Sequence, residues 1–426
     1  GPPVTASAAD VIGTFKTTPN NVGVGMFDIS SVVQSYVKAD NLATTGSQYK
    51  GMSTTVTTQH PLHLVDKFTR NNNTIRYLVI QFSIEYYDDD DTSSTYNEIV
   101  RTDFVNSDLY TLFNGYLTYS DQLEWSSTGF GYDISRFQIA NPTTGQFLSN
   151  APITQYATED DYGTLAYLTK TQNPSYPNGY VGEIRMQCYD SAGGLLGSSI
   201  NVTMNGPNGG YGVYSADIRN ELLYFGCFPA NLRNWSTIFQ TQLATGNLDH
   251  YSVRCYTAGG TTISQRYIIN LLCPNLKGYA PIRLAWLNQW GVWDYYTFNK
   301  KSVKSLSTKG STYTQLGGTW NESQYRVHGY KGGQKSFRVN ATERITMNTD
   351  FVTESESEWF EELINSPEVY LLEGYQTDLT NPVLNNYVTP VRLTTSSYTR
   401  KTIANDKLMQ YTFEVEKSKT LRTQAV

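Results

Sequence analysis

The chain has 426 residues, of which 16% are charged, and its formal net charge is −6. Its length is sufficient for about three domains, each with a core of its own. The acidic balance argues against nucleic acid as the principal partner, because phosphate binding needs a basic face. The sequence contains no run of 18 apolar residues, so we predict no membrane-spanning helix. Thr, Ser, Asn, Gly and 33 Tyr replace the missing charges, and such residues favour a mainly β protein.

Changes in composition divide the chain into five predicted segments. They are an N-terminal arm (1–20), a β-rich domain with an N-terminal helix (21–175), a β-sandwich-like domain (176–278), a C-terminal β domain with one helix at 353–365 (279–415), and a C-terminal arm (416–426). The predicted fold class is mainly β, a multi-domain β-sandwich or barrel architecture with a few short helices. Both arms lack hydrophobic periodicity, and we expect them to become ordered on assembly.

The first predicted domain begins with an amphipathic helix, Met26–Val37, for which Asp28 is a suitable N-cap. Its strongest strand pattern is Arg76–Tyr87. This strand runs into four consecutive acidic residues, Asp88, Asp89, Asp90 and Asp91. Four carboxylates in a row are a weak candidate for a Ca²⁺ site. An exposed turn between two strands accounts for the same residues without an ion.

Two similar hairpins are predicted in the middle of the chain, at Glu183–Val202 and His250–Asn270. Each consists of a strand that ends in Cys-Tyr, a turn with Ala-Gly-Gly, and a returning strand. They could be opposite parts of one β-sandwich or the halves of an old duplication. A short helix, Ala230–Leu243, is predicted between them.

The four cysteines are Cys188, Cys227, Cys255 and Cys273. They are too few for a disulfide framework in a chain of this length, and none belongs to a CxxC motif. Buried free thiols are the prediction, with one disulfide as the alternative. No histidine lies at a zinc-ligand spacing from them.

The segment Pro281–Phe298 contains three of the seven tryptophans within eight residues. Period-2 alternation predicts a hairpin around Asn288–Gly291, in which Ile282, Leu284 and Trp286 share one face of the first strand. Trp293, Tyr295 and Thr297 share a face of the second strand. Two roles are open: filling the core at a junction between domains, or anchoring a partner subunit. The residues assigned to these roles are Trp286, Trp290, Trp293, Tyr295 and Phe298, with Trp359 as the anchor of the later helix.

The remaining elements are predicted from local signals. The basic stretch Asn299–Lys309 indicates a solvated loop, and Lys335–Met347 a strand. Thr353 as N-cap and Glu356 as the third helical residue form a capping box, and Pro367 ends the helix that follows. Further strands are predicted at Glu368–Leu372, Val388–Thr394 and Leu408–Val415.

No catalytic motif is present: the sequence contains no GxSxG, P-loop, HExxH or dinucleotide-binding glycine pattern. We therefore predict a protein that is not an enzyme and uses no cofactor. A glycoside-active enzyme built from a pair of carboxylates on a β scaffold is a distant alternative.

Four pieces of the sequence carry a resemblance to a known class. They are FDISSVVQSYV at 27–37; Phe228–Leu232 with the Tyr-rich hairpin after it; the pattern RLxWLNxxGxWDYYxF at 283–298; and Trp359 with Glu362–Leu371, followed by Pro390–Val391, Ser397–Tyr398, Asn405–Leu408 and Tyr411. On these residues the chain resembles virion structural proteins of tailed bacteriophages, of the sort found in marine phages and phages of Bacteroidetes.

The resemblance implies a building block located in the virion: a tail, baseplate, neck or capsid-associated subunit. Its partners would be copies of itself and other virion proteins. The alternative from another class is a surface or secreted carbohydrate-binding adhesin, in which exposed Tyr and Trp side chains stack on sugars. A host surface glycan is the further partner that this alternative adds.

Overall fold

The chain is mainly β in the computed structural model, with twenty-three strands and five short α-helices in the described part. The described residues are 11–37, 50–51, 62, 67–71, 74–107, 109–123, 132, 134–170, 180–203, 220–272, 278–319, 322–375, 387–395, 397, 399, 409–419 and 421–425. The strands form one large sheet, two smaller sheets and three two-stranded ladders. The predicted β-rich class is confirmed.

The two smaller sheets combine strands from distant parts of the chain. The four-stranded sheet has the order β1 (Lys50–Gly51), β2 (Phe68–Asn71), β13 (Asn220–Gly226) and β10 (Thr164–Lys170). The five-stranded sheet has the order β12 (Leu195–Thr203), β11 (Glu183–Tyr189), β14 (His250–Tyr256), β15 (Tyr267–Leu272) and β9 (Thr154–Thr158). Only β15 and β9 pair in parallel among these described neighbours. The pairs β10–β13 and β9–β15 join segments on both sides of the predicted boundary at 175/176.

The two similar hairpins lie side by side in the five-stranded sheet. The strands β11 and β14 are direct neighbours, with Cys188 opposite Tyr251 and Ile184 opposite Cys255. Of the two alternatives for these hairpins, opposite parts of one sandwich is wrong, because an antiparallel ladder joins their first strands edge to edge in one sheet; the alternative of an old duplication stays a prediction. Local turn signals predict each hairpin but carry no information about which strands pair next.

The large sheet contains eight antiparallel strands. Its order is β17 (Trp293–Phe298), β16 (Ile282–Leu287), β20 (Val369–Leu372), β21 (Val388–Leu393), β22 (Thr412–Lys417), β19 (Gly333–Asn348) and β18 (Ser302–Gln315), with β23 (Leu421–Ala425) also paired to β19. The predicted strands at 335–347, 368–372 and 388–394 are confirmed within two residues at each end. Residue 408 lies outside the described residues; the strand predicted at 408–415 begins four residues later, at Thr412, and ends two residues later, at Lys417.

Two predictions in this part of the chain are wrong. The basic stretch 299–309, predicted as a loop, forms the first half of β18, in which Lys304 pairs with Ile345 and Lys309 with Asn340. In the segment 416–426, predicted as an arm, Glu416 and Lys417 belong to β22 and Leu421–Ala425 form β23. Both segments lack apolar alternation, and backbone ladders hold them in the sheet: β18 and β23 pair with β19, and the end of β22 pairs with β19 and β21.

Three ladders of two strands follow one another between residues 75 and 113. They are β3 (Ile75–Leu78) with β8 (Tyr110–Phe113), β4 (Gln81–Phe82) with β7 (Val105–Asn106), and β5 (Glu85–Tyr87) with β6 (Ile99–Arg101). Together they form one long, interrupted hairpin. The predicted strand 76–87 is therefore broken into β3, β4 and β5.

The helices are short: α1 (Ser30–Gln34), α2 (Tyr119–Gln122), α3 (Pro229–Trp235), α4 (Thr237–Thr245) and α5 (Glu354–Asn365), with a 3₁₀ turn at Ile134–Phe137. The capping box of α5 is confirmed, since Thr353 and Glu356 make both reciprocal hydrogen bonds. The helix predicted at 26–37 shrinks to five residues with no buried side chain, and short helices without packing are marginal. The helix predicted at 230–243 is divided at Ser236, whose hydroxyl accepts a hydrogen bond from Phe239 N–H and begins α4.

The buried apolar side chains form two cores, and the hairpin β16–β17 separates them. Ala285, Leu287 and Trp293 belong to the larger core, which includes residues of the two smaller sheets. Leu284 and Trp286 belong to the smaller core, which packs beneath α5. Successive side chains of a strand point to opposite faces, so a strand covered on both faces buries side chains of both faces, and each polar one among them, such as Arg283 of β16, needs a hydrogen-bond partner. The prediction that Ile282, Leu284 and Trp286 share one face of β16 is confirmed, since all three belong to the smaller core.

The three described cysteines, Cys188, Cys227 and Cys255, are buried free thiols in the larger core. Burial raises the pKa of the Cys188 thiol to about 11 and that of Cys255 to about 12. Both side chains are therefore protonated at neutral pH and act as small apolar residues. Cys273 lies outside the described residues.

Candidate interaction surfaces

The structure places all six aromatic residues singled out from the sequence in the protein interior. Trp286, Trp290, Trp293, Tyr295, Phe298 and Trp359 are each at most 5% exposed. The ring of Trp286 lies 5.0 Å from that of Trp359, and the ring of Trp293 lies 5.5 Å from that of Tyr370. In this chain these side chains join β16 and β17 to their covering elements, and none of them offers a free face to a partner.

A buried carboxyl group connects the hairpin to α5. Trp359 Nε1 donates a hydrogen bond of 2.7 Å to Asp294 Oδ2, and Asn150 Nδ2 donates one to Glu362 Oε1. Burial raises the pKa of Asp294 to about 6. Burial, together with the negative charge of Asp294, raises the pKa of Glu362 to about 8. The sequence analysis missed both groups, although one acidic residue within the aromatic run WDYY was a signal.

A second polar cluster connects the hairpin to the larger core. Arg283 donates hydrogen bonds from Nε to Tyr162 O and from Nη1 to Thr297 Oγ1, both of 2.7 Å. Thr297 Oγ1 in turn donates to Asp161 Oδ2 at 2.7 Å. The guanidinium group packs on Phe228, 4.6 Å from the ring centre. Burial lowers the pKa of Arg283. The cluster binds residues 158–164 to β16 and β17, so its contacts are structural.

The turn of this hairpin supports the long ladder at residues 75–113. Gly291 has φ +70°, and a Cβ atom there would lie 1.8 Å from Asn114 O. Tyr116 N–H donates a 2.8 Å hydrogen bond to Gln289 O. Within the turn, Asn288 Oδ1 accepts hydrogen bonds from Trp290 and Val292 N–H. Only glycine combines this positive φ with so close an approach of two backbones.

We call residues 75–113 the acidic arm, because they include eight acidic and two basic residues, a net charge of −6. The paired segment from 75 to 87 extends about 40 Å at the usual rise of a strand. Many of its large apolar side chains beyond the base at Ile75 are exposed: Phe82, Ile84, Tyr86, Tyr87, Tyr96, Ile99, Phe104, Val105 and Tyr110. Exposed apolar surface of this extent marks an interaction site.

The four aspartates lie at the tip of the acidic arm, in the turn between β5 and β6. Asp88 Oδ2 accepts a 2.6 Å hydrogen bond from Thr95 Oγ1, and Asp88 Oδ1 accepts one from Asp90 N–H. These bonds lower the pKa of Asp88. Within the described residues, no group of three or more His, Cys, Asp or Glu side chains is placed to hold a metal ion. The arrangement is that of a turn whose first aspartate is tied to the backbone.

We call residues 302–348, the hairpin β18–β19 with its loop, the basic arm. It includes seven basic and two acidic residues, a net charge of +5. None of the fourteen residues of β18 is buried. The exposed apolar side chains of the arm are Val303, Leu306, Leu316, Tyr325, Val327, Tyr330 and Phe337. The chain thus carries two long hairpins of opposite charge, each with apolar side chains in contact with water.

No family model, curated protein or solved structure matches this chain. None of the described helices is both long enough and apolar enough to cross a membrane.

Proposed function

We propose that this protein is a structural subunit of a tailed-phage virion and works by assembly with copies of itself and with other virion proteins. The observation that carries the proposal is the pair of arms, which expose apolar side chains along two long hairpins. A subunit of a ring or tube needs two such surfaces, because each copy contacts a neighbour on either side. Tail, baseplate, neck and capsid-associated positions all require contacts of this kind.

The contacts inside the body support the same proposal. Two of the buried charged groups, Arg283 and Asp294, are hydrogen-bonded to residues of neighbouring elements. They join the hairpin β16–β17 to both cores. A rigid body that supports two exposed arms suits a protein whose function is to hold neighbours at a fixed geometry.

Size-exclusion chromatography with light scattering, followed by electron microscopy of the oligomeric fraction, tests the proposal on the full chain. We expect particles of a defined copy number at micromolar concentration. A chain that stays monomeric up to high concentration, alone and with other virion proteins, would contradict the proposal.

One observation favours the adhesin as a second candidate. Six tyrosines on or next to the acidic arm are exposed, Tyr86, Tyr87, Tyr96, Tyr110, Tyr116 and Tyr119, and such rings can stack on sugars. The tryptophans Trp286, Trp290, Trp293 and Trp359, by contrast, are buried. Binding of the monomer to a glycan array, lost when Tyr86 and Tyr96 are replaced by alanine, would support the adhesin.

A further inference from the structure

We infer that the acidic arm of one copy binds the basic arm of the next copy, so that the protein assembles head to tail. This inference rests on the proposed function, for which it names the partner and the two surfaces in contact. The partner is a second copy of this chain, because one chain presents both members of a complementary pair: −6 on one arm and +5 on the other. Complementary charge of this size selects the partner and accelerates the encounter.

The charges near the tip of the acidic arm are not neutralised by the residues that the structure describes. Lys16 forms an ion pair with Glu85 near the middle of the arm. Closer to the tip, Asp89, Asp91 and Glu98 are exposed and make no ion pair with any of the residues that the structure describes. The outer part of this arm is therefore available to cations from outside the chain.

The basic arm shows the matching arrangement. Its ion pairs lie near the body, where Arg344 contacts Glu414 and Glu416. Further out, Lys309 and Arg338 are exposed. In the described parts of the chain neither of these two side chains makes an ion pair. They lie on the same face, since Lys309 pairs with Asn340 and Ser311 pairs with Arg338.

The free edge of β18 gives the neighbour a place to bind. β18 is the last strand of the large sheet and pairs with β19 alone among the described strands. The fourteen residues of β18 give this free edge a length of about 45 Å. Exposed edges of this length attract other strands, and lysines on them discourage pairing with an arbitrary chain. Lys304 and Lys309 therefore disfavour the pairing of most other strands with this edge. An acidic hairpin, by contrast, is attracted by these two lysines.

The two kinds of surface have different energetic roles. Exposed ion pairs contribute only about 0–1 kcal/mol each, so charge steers the arms and sets their register. Burial of the exposed apolar side chains, such as Phe82 and Ile84 on one arm and Leu306 and Phe337 on the other, supplies the affinity. Since the contact joins two different surfaces, it propagates from copy to copy and gives a ring where the rotation closes or a filament where it does not.

The test is a charge exchange between the arms of the full chain. One variant carries Asp89→Lys and Asp91→Lys, and the other carries Lys309→Glu and Arg338→Glu. Each variant alone sets like charges against each other at the exchanged positions and reduces the net charge of the changed arm from −6 to −2 or from +5 to +1. We therefore expect its assembly midpoint to rise at least tenfold in concentration. In an equimolar mixture every contact again joins opposite charges, so we expect oligomers that contain both variants. Light scattering and native mass spectrometry measure both results.

Lys419→Glu, at an exposed site outside both arms, is the control variant and should assemble like the wild type. Thermal unfolding of every variant should match the wild type, because the changed side chains are exposed. A monomeric wild type would overturn the proposed function together with this inference. A wild type that assembles, with arm variants that assemble equally well, would overturn the inference alone. Variants that fail singly and also fail when mixed would show that the two arms do not meet.

Discussion

The hairpins β16–β17 and β18–β19 lie at opposite ends of the same eight-stranded sheet. Every residue of β16 is buried, whereas no residue of β18 is. The backbone ladder is the same in both hairpins, but the first is rich in Trp, Tyr and Leu and the second in Ser, Thr and Lys. The comparison shows that hydrogen bonding alone can extend a sheet into solvent, while side-chain burial decides where the stability of the fold is located.

The largest effect that we predict comes from removing an aromatic side chain of the buried hairpin. Trp293→Ala leaves a cavity in the larger core, and we expect it to cost roughly 3–5 kcal/mol of the free energy of unfolding. Leu306→Ala on β18 is the matched change at an exposed site, 62% exposed, and should cost no more than about 0.5 kcal/mol. Urea denaturation of both variants measures the difference. Equal losses would contradict the assignment of stability to β16–β17.

The second prediction concerns the turn that joins the buried hairpin to the acidic arm. Gly291→Ala forces a positive φ on a residue with a Cβ atom and drives that atom into Asn114 O. We expect a loss of about 2–4 kcal/mol from the two effects together. Hydrogen exchange should also increase at Tyr116, whose amide is bound to Gln289 O.

Gly246→Ala is the control for this substitution. Gly246 also has a positive φ, but nothing lies within 4 Å of its added Cβ. Its loss should be about 1–2 kcal/mol, from the backbone conformation alone. A loss at Gly291 no greater than that at Gly246 would show that the arm does not press on this turn.

Local signals predicted the elements whose side chains carry a periodic pattern. Alternation predicted both faces of β16, and the Thr353–Glu356 pair predicted the start of α5. β18 was missed because a strand exposed on both faces has no alternation to detect. The pairs β10–β13 and β9–β15 were missed because contacts between distant segments leave no local trace.

The candidate surfaces, too, could be predicted from the sequence only in part. The six aromatic anchors could be chosen from the sequence because large rings cluster there. Their burial could not be predicted, since aromatic side chains are prominent both in protein cores and at the centres of interfaces. The two arms were visible only as separate charged stretches, the aspartates at 88–91 and the lysines at 300–309. Their common character as exposed hairpins required the structure.

The third prediction concerns how the free energy of unfolding depends on pH. Of the two hairpins compared, β16–β17 contains or contacts buried carboxyl groups with raised pKa values, Asp294 and Glu362. Glu362 has a pKa of about 8 in the folded chain, against an ordinary value of 4.5. The folded state therefore binds more protons between these values, and the free energy of unfolding should fall as pH rises from about 5 to 8. One proton gives a slope of at most about 1.4 kcal/mol per pH unit.

Glu362→Gln keeps an oxygen that can accept the hydrogen bond from Asn150, and it removes the charge. We expect this variant to lose most of the fall in the free energy of unfolding between about pH 6 and pH 8, whereas the contribution of Asp294, whose pKa burial raises to about 6, remains below pH 6. Glu322→Gln, an exposed residue on the loop of the basic arm, should keep the wild-type slope. A Glu362→Gln protein with an unchanged slope would assign the pH dependence to other groups.

The smallest effect that we predict arises at the start of α5, the helix that covers the buried hairpin. Thr353 Oγ1 accepts a hydrogen bond from Glu356 N–H, and Glu356 Oε2 accepts one from Thr353 N–H. Thr353→Ala removes the first bond and should cost about 1 kcal/mol. Because α5 packs on Trp286 through Trp359 and Phe360, the loss should appear as lower global stability. Thr308→Ala lies in the middle of β18, whose residues are not buried. Its free energy of unfolding should stay within about 0.5 kcal/mol of the wild-type value.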